Sequence, residues 1–408
     1  MKIWIKITAG IILGAILGAI LKSGPVALEV CGFLSRLFIQ IGRYVVFPLI
    51  FFSLGMGTYE LRRDKQILAV YGKILLYLVA STLLMVLIGL LTVLIFSPER
   101  IPIIVEKEEA FRMPGIQETL LAIFPTNLFQ VLLGPGELLL PLIVLAFIIG
   151  VNLNFDLRIT SPVIQLFDSL NRIFYHINTL VVELFGFAMI TVTAFFILNI
   201  KRYDLGLFKQ VLLILSLDFF LVVFGVFPGI LYLLGDRENP YRWLYAVIGP
   251  VLAAFFTGDG FLGVGMLVKH GKESLGVPRR LGSAVYPLFA FFGRAGSALV
   301  ASASFMLVLK SYSSLEISFF QILWTLGFSL LVSLCLGAVP GAGAFAAVSA
   351  LCTVFGRGMQ EGYLILKPIA PLLVSFGVSL DVLTSAFVSL IVARKTEMWE
   401  KVEAHNFV

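Results

Sequence analysis

The chain reads as a series of long apolar runs separated by short polar ones. A membrane-spanning helix needs about 20 consecutive, mostly apolar residues. Runs of that kind fall at 3–21, 32–57, 74–96, about 177–198 and 211–234, with a broken apolar region between Pro125 and Pro141. The second run is longer than a bilayer requires, so it is expected to tilt; it holds Arg43 and Pro48. A polar, acidic stretch at 97–117 carries Glu106, Glu108 and Glu109.

Beyond Gly235 the pattern changes. The run 244–268 is interrupted by Pro250 and by Thr257-Gly258-Asp259-Gly260. The run 286–309 is interrupted by Gly293-Arg294-Ala295-Gly296-Ser297. The run 319–354 is too long for one span and is split by Val339-Pro340-Gly341-Ala342-Gly343-Ala344, and a last run covers 369–393 with Asp381 inside it. A break in a helix leaves backbone N–H and C=O groups unpaired, which lipid cannot satisfy. Such breaks persist only where protein or a watery cavity surrounds them. Paired interruptions in separate segments point to a transporter's binding site. The runs 244–268 and 319–354 are therefore read as re-entrant hairpins whose tips meet near the bilayer midplane; the plainer alternative is two kinked helices. The fold expected is all-α and integral to the membrane, with eight transmembrane helices plus two re-entrant helical hairpins.

Composition agrees with lipid as the solvent. Of 408 residues, 59% are hydrophobic and only 13% charged; a soluble domain carries about a quarter. The net charge of +6 sits in short loops, as membrane orientation requires, and not on a nucleic-acid-binding face. Lys2 and Lys6, then Arg62, Arg63 and Lys65, then Lys269, Lys272, Arg279 and Arg280, then Arg394, Lys395 and Lys401 all fall on one side if eight helices cross. That side is expected to be the cytoplasm, with both termini there; Lys201-Arg202 falls on the wrong side. The first 22 residues read as a spanning helix, since no small-residue cleavage site closes the run. Three cysteines without paired spacing suggest no disulfide framework, and three scattered histidines suggest no metal site.

Ionisable groups at membrane depth are costly and are functional candidates by default. They are Arg43, Glu183, Asp218, Asp259, Arg294 and Asp381. Arg43 is read as snorkelling to an interface. Glu183 and Asp218 suit a packed or water-contacting role as well as a transport role. Arg294 has no acid near it in sequence and needs a partner from elsewhere, Asp381 first and Asp259 second. An intramembrane aspartyl protease would pair two aspartates, and Asp218 with Asp259 could pose as that pair, but Thr257-Gly258-Asp259-Gly260 departs from the required Gly-x-Gly-Asp. The stretch 339–344 lacks the lysine and helix start of a phosphate loop.

The run Gly337-Ala338-Val339-Pro340-Gly341-Ala342-Gly343-Ala344 resembles the second hairpin tip of the dicarboxylate/amino acid:cation symporters, the glutamate-transporter family. Val46-Phe47-Pro48-Leu49-Ile50-Phe51-Phe52-Ser53-Leu54, Phe124-Pro125-Thr126-Asn127-Leu128-Phe129 and Ile391-Val392-Ala393-Arg394-Lys395-Thr396-Glu397 resemble other family segments in the same order. The resemblance implies an elevator-type transporter, a homotrimer, in a bacterial-type inner membrane. It implies a scaffold from 1–60 and 120–200, a transport domain from 70–97 and 203–397, and a cytoplasmic tail at 398–408. It implies a small solute, an amino acid or dicarboxylate, coupled to sodium or protons, with no other cofactor. A transport-dead channel or binding protein is the alternative from another class, and the protease a third.

The substrate candidates on this reading are Asp259, Gly260, Arg294, Ser297, Val339, Gly341, Ala342, Gly343, Val378 and Asp381. The cation or proton candidates are Asp218, Asp259, Asp381, Ser385, Ser81 and Thr82. Several positions depart from the family pattern. Its serine-rich first tip falls on Gly258-Asp259-Gly260-Phe261. The Asn and Asp of its seventh-helix motif become Gly293 and Ala295. Its substrate-binding acid and arginine fall at Val374 and Gly377. Arg294 is expected to take the place of bound sodium, and the clamp for a side-chain carboxylate is missing.

Overall fold

The computed structural model describes residues 2–22, 24–101, 121, 124, 125, 127, 131, 132, 139–203, 205–234, 239–312, 317–338 and 343–408, and all regular structure among them is helical. The helices are α1 (Ile3–Ile20), α2 (Pro25–Arg63), α3 (Ile67–Phe96), α4 (Leu139–Asn152) and α5 (Leu157–Ile200). Then come α6 (Lys209–Phe220), α7 (Phe227–Leu234), α8 (Tyr241–Thr257), α9 (Gly260–Glu273) and α10 (Arg279–Phe292). The last are α11 (Ala295–Tyr312), α12 (Phe319–Cys335), α13 (Gly343–Phe355) and α14 (Ala370–Lys395). A π-helical stretch, Leu221–Val226, joins α6 to α7, and a 3-10 stretch, Gly362–Ile369, leads into α14.

Seven helical stretches among the described residues are long and apolar enough to cross a membrane: Ile3–Ile20, Pro25–Arg63, Ile67–Phe96, Leu157–Ile200, Leu205–Leu234, Arg279–Tyr312 and Gly362–Lys395. The apolar pattern anticipates each of them. It understates α2 and α5, which have 39 and 44 residues. At 1.5 Å per residue both run to about 60 Å, twice the hydrocarbon core. Their added turns are polar on one side, as with Asp168 and Arg172 on α5, and so leave no apolar run to count. The eighth expected crossing ends in α4, and the region leading into it lies outside the described residues, as does most of 97–117.

The described breaks fall at glycines; Pro250, expected to interrupt the run 244–268, instead lies inside α8. Between α8 and α9 the chain turns at Gly258, whose φ of +62° is left-handed and free of strain only for glycine. A Cβ built at Gly263 would sit 3.3 Å from that of Ala254, so α8 and α9 lie side by side as a hairpin. By contrast, α10 and α11 are two halves of one path, parted at Gly293-Arg294. These two halves and α14 form the centre of the molecule. Their best apolar windows are 89% and 94% buried, against 28% for α1.

The polar ends explain the loop charges. Lys2 Nζ donates to the carbonyl of His405 at 3.1 Å, and Val408 N to Ser274 Oγ at 3.3 Å, so both termini lie at one end. The basic loops gather there. Arg280 pairs with Asp64, Arg279 with Asp168 at 3.2 Å, and Lys73 Nζ donates to the Lys395 carbonyl at 2.6 Å. Lys201 is at the other end for a local reason. Its ammonium donates to the carbonyls of Gly18 and Ala19 at 2.7 and 2.8 Å. It thus satisfies carbonyls that the end of α1 leaves unpaired, and it meets the negative end of the helix dipole.

Close helix approach depends on glycines spaced by four. Gly10, Gly14 and Gly18 line the face of α1 that meets α5, and a Cβ at Gly14 would lie 2.4 Å from the Ile190 carbonyl oxygen. In lipid, this kind of backbone contact replaces the hydrophobic effect as the source of helix association. Gly14→Leu is expected to lower the melting temperature of the detergent-solubilised protein by several degrees. Gly72→Ala, at a position with no neighbour within 4 Å, should leave it unchanged. Equal melting temperatures for all three proteins would contradict the packing described.

Candidate functional site

The charged residues at membrane depth converge on the helix breaks. Arg294 opens α11 and is 7% exposed; Asp381, midway along α14, is 2% exposed. Arg294 Nη1 lies 3.8 Å from Asp381 Oδ2. This is the partner expected for Arg294, but the contact is Coulombic and too long for a hydrogen bond. The hydrogen bonds to Asp381 come from Ser297. Its backbone N–H reaches Oδ1 at 2.8 Å and its hydroxyl reaches Oδ2 at 2.6 Å. Ser297 N belongs to the first turn of α11, so the carboxylate meets the positive end of that half-helix as well as the guanidinium. Arg294 Nη2 donates to the Ala290 carbonyl at 3.3 Å, and its Nε is buried without a hydrogen-bond partner among the described residues.

The tip of the first hairpin closes over this pair. A Cβ at Gly260 would lie 2.7 Å from Arg294 Nη1, so glycine there lets the tip settle onto the guanidinium. The Arg294 guanidinium carbon also sits 5.7 Å from the centre of the Phe261 ring, within cation–π range. Asp259 does not complete the Arg294 pair. Its Oδ1 caps α9 by accepting from Leu262 N at 3.0 Å, which leaves Oδ2 to the Arg43 Nε at 2.5 Å. Arg43 therefore does not merely snorkel: it reaches from α2 to the hairpin tip, with its guanidinium carbon 5.8 Å from the same Phe261 ring. Phe261, missed in the sequence, is thus approached by two guanidinium groups. The available signal was an aromatic residue directly after a Gly-Asp-Gly break.

The α8–α9 turn and the start of α13 meet on α14. Cβ atoms built at Gly258 and Gly343 would lie 3.2 and 3.3 Å from Val374 Cγ1. Gly377, one turn on, packs so closely on Ala344 and Ser297 that a Cβ would lie 3.1 Å from each. The arginine expected there by resemblance has no room. Gly343 has φ +46°. Val339, Gly341 and Ala342 lie outside the described residues. Val378 is buried in the apolar core at 2% exposure and makes no polar contact.

Ser81, Thr82 and Ser385 come together, with Thr384, around a small cavity flanked by Gly293 and Ala295. All four hydroxyls already donate to carbonyls of their own helices, at 2.7 to 2.9 Å. Their lone pairs remain, but no carboxylate lines the cavity. Asp218 is apart from this group. It is fully buried on α6, Oδ2 accepts from Thr92 Oγ1 at 3.2 Å, and Oδ1 has no hydrogen-bond partner among the described residues. Asp218 and Asp259 thus have different partners, against the protease pairing. Glu183 is paired with the buried Lys269 at 2.9 Å.

Long apolar helices, half-length helices meeting at glycine turns, and charges buried at those turns define a polytopic secondary transporter. The chain belongs to the Sodium:dicarboxylate symporter family, which it matches over residues 3–395. It is 26% identical over 350 residues to a proton/sodium-glutamate symport protein of Bacillus subtilis, covering 81% of this chain and 77% of that one. It is 23% identical over 360 residues to the protein of the same name from Bacillus caldotenax, covering 86% and 84%. The protein of that name from Geobacillus stearothermophilus is 23% identical over 318 residues, covering 75% and 74%. The family is one of transporters, with lipid and a small molecule as its implied partners.

Removing one member of a buried ion pair leaves the other uncompensated, at a cost of about 3–5 kcal/mol. Arg294→Ala and Asp381→Ala should each destabilise the protein, Asp381→Ala the more because Ser297 also loses its acceptor. The double variant should recover part of the loss. Strictly additive losses in thermal or denaturant unfolding would show that the two charges do not interact.

Proposed function

We propose that the protein is a secondary active transporter carrying a small organic solute, an amino acid or a dicarboxylate, across a bacterial inner membrane. The observation that carries this reading is the meeting of the α8–α9 turn, at Gly258, and the start of α13, at Gly343, on Val374 of α14, beside the buried Arg294–Asp381 pair. A half-helix end offers unpaired backbone groups to a ligand, and glycine lets the ligand approach them. The relatives' names, proton/sodium-glutamate symport protein, support the same class of solute.

In this proposal eight helices cross, residues 1–60 and 120–200 form a fixed scaffold, and 70–97 with 203–397 form the moving domain. Three copies assemble through the scaffold, and both termini face the cytoplasm, where the basic loops gather. Arg43–Asp259 and Asn178 Nδ2 to the Gly265 carbonyl, at 2.8 Å, then join scaffold to moving domain in this state and must part when it moves. Asp218 is the buried acid best placed to exchange a proton during the cycle, since no ion pair holds it among the described residues.

Purified protein in proteoliposomes should take up at least one solute from a panel of labelled amino acids and dicarboxylates. Gly343→Val should cut that uptake about tenfold or more, since a β-branched residue at positive φ costs on the order of 1–3 kcal/mol, while a folded protein remains by size-exclusion chromatography. Absence of uptake across the panel, or full uptake by Gly343→Val, would overturn the proposal. A reporter fused after Val408 should be active only in the cytoplasm; activity confined to the outer side would reverse the topology.

A further inference from the structure

We propose that Arg294 is a built-in counterion for Asp381, standing where an inorganic cation would otherwise have to bind for the first hairpin to close. The inference rests on the transporter reading and names how that transporter is freed from sodium.

Asp381 sits in the middle of α14 at 2% exposure. A carboxylate at that depth needs a positive charge beside it. In this chain the charge is covalently attached. The Arg294 guanidinium approaches to 3.8 Å without making a hydrogen bond, and Ser297 supplies the hydrogen bonds instead. Arg294 therefore acts on Asp381 as a charge and not as a bidentate clamp. The tip then closes directly on that charge, with Gly260 against Nη1 and the Phe261 ring 5.7 Å from the guanidinium carbon. The second acid of the tip, Asp259, is balanced by Arg43. Among the described residues two cations thus match two carboxylates at this tip.

The neighbouring small cavity points the same way. Its lining is mostly apolar, the hydroxyls of Ser81, Thr82, Thr384 and Ser385 donate to carbonyls of their own helices, and none of the residues lining it bears charge. Hard cations favour sites with several oxygens, carboxylates among them. A mostly apolar cavity without a carboxylate does not suit an ion. Among the described residues, neither this cavity nor the Arg294–Asp381 site suits sodium, in a chain whose family takes its name from sodium.

Truncating Arg294 should restore the need for an ion. Arg294→Ala would leave Asp381 Oδ2, Ser297 Oγ and the Ala290 carbonyl oxygen facing the vacated volume, a set of oxygens that sodium can use. Arg294→Lys keeps the charge. The experiment is thermal unfolding of the full-length protein in detergent, with sodium chloride replacing choline chloride at constant ionic strength. The wild type and Arg294→Lys should shift by less than about 1 °C. Arg294→Ala should melt lower in choline and rise by about 3 °C or more in sodium, as expected when a ligand binds only the folded state. Adding Asp381→Asn to Arg294→Ala should abolish the rise. Sodium stabilisation of the wild type, or an Arg294→Ala protein that is folded and indifferent to sodium, would overturn the proposal. If Arg294→Ala folds only in sodium, the proposal stands; if it folds in neither salt, the wild-type and Arg294→Lys shifts decide. Because this readout needs no solute, it separates the counterion from the transport reading. Solute uptake that fails while the sodium response of Arg294→Ala holds would refute only the transporter assignment.

Discussion

A charge buried in a low-dielectric interior must be balanced within a few ångströms, and the centre of this protein is arranged around that constraint. Asp381 is held by Ser297 and the start of α11 and is faced by Arg294. To put a guanidinium there, the helix path of α10 and α11 must break at Gly293, where a Cβ would strike the Phe289 carbonyl oxygen at 2.6 Å. To cover it, the first hairpin must present a residue without a side chain, Gly260. To hold that tip in place, Asp259 must be neutralised, which Arg43 does from α2. Each of these steps follows from the one before it.

The consequence for function lies in where the second pair sits. Arg294–Asp381 is internal to the central helices and can travel with them unbroken. Arg43–Asp259 joins the hairpin tip to α2, and 38% of the Arg43 side chain is exposed. A half-exposed pair is worth less than a buried one and is screened by salt. The internal pair is therefore the durable one, whereas Arg43–Asp259, like Glu183–Lys269 and Arg279–Asp168 across the same proposed sliding surface, has at least one partner that solvent reaches. A molecule whose parts must separate and rejoin needs that ordering.

Much of this fold was legible in the sequence because lipid enforces simple rules. Apolar runs gave the helices, and Thr257-Gly258-Asp259-Gly260 and Gly293-Arg294 gave the breaks. The polar turns that lengthen α2 and α5 were not legible, since they carry no apolar run. The four-residue glycine spacing of α1 is present in the sequence, but the spacing alone does not say that the helix it meets is α5. At the site, the need of Arg294 for Asp381 followed from the scarcity of charge. The pairing of Asp259 with Arg43 did not. It depends on Asp259 capping α9 and thereby leaving one oxygen free, and on α2 passing within reach, neither of which a linear pattern contains. The role of Ser297 as the hydrogen-bond donor to Asp381 likewise depends on two helices being brought together.

The central claim is that the closed site balances its own charges and so carries no sodium with its solute. The most direct measurement is the flux of radioactive sodium into proteoliposomes during uptake of a transported solute, with membrane potential clamped. The account predicts solute uptake with no solute-dependent sodium entry. Sodium entering in fixed proportion to solute would contradict it.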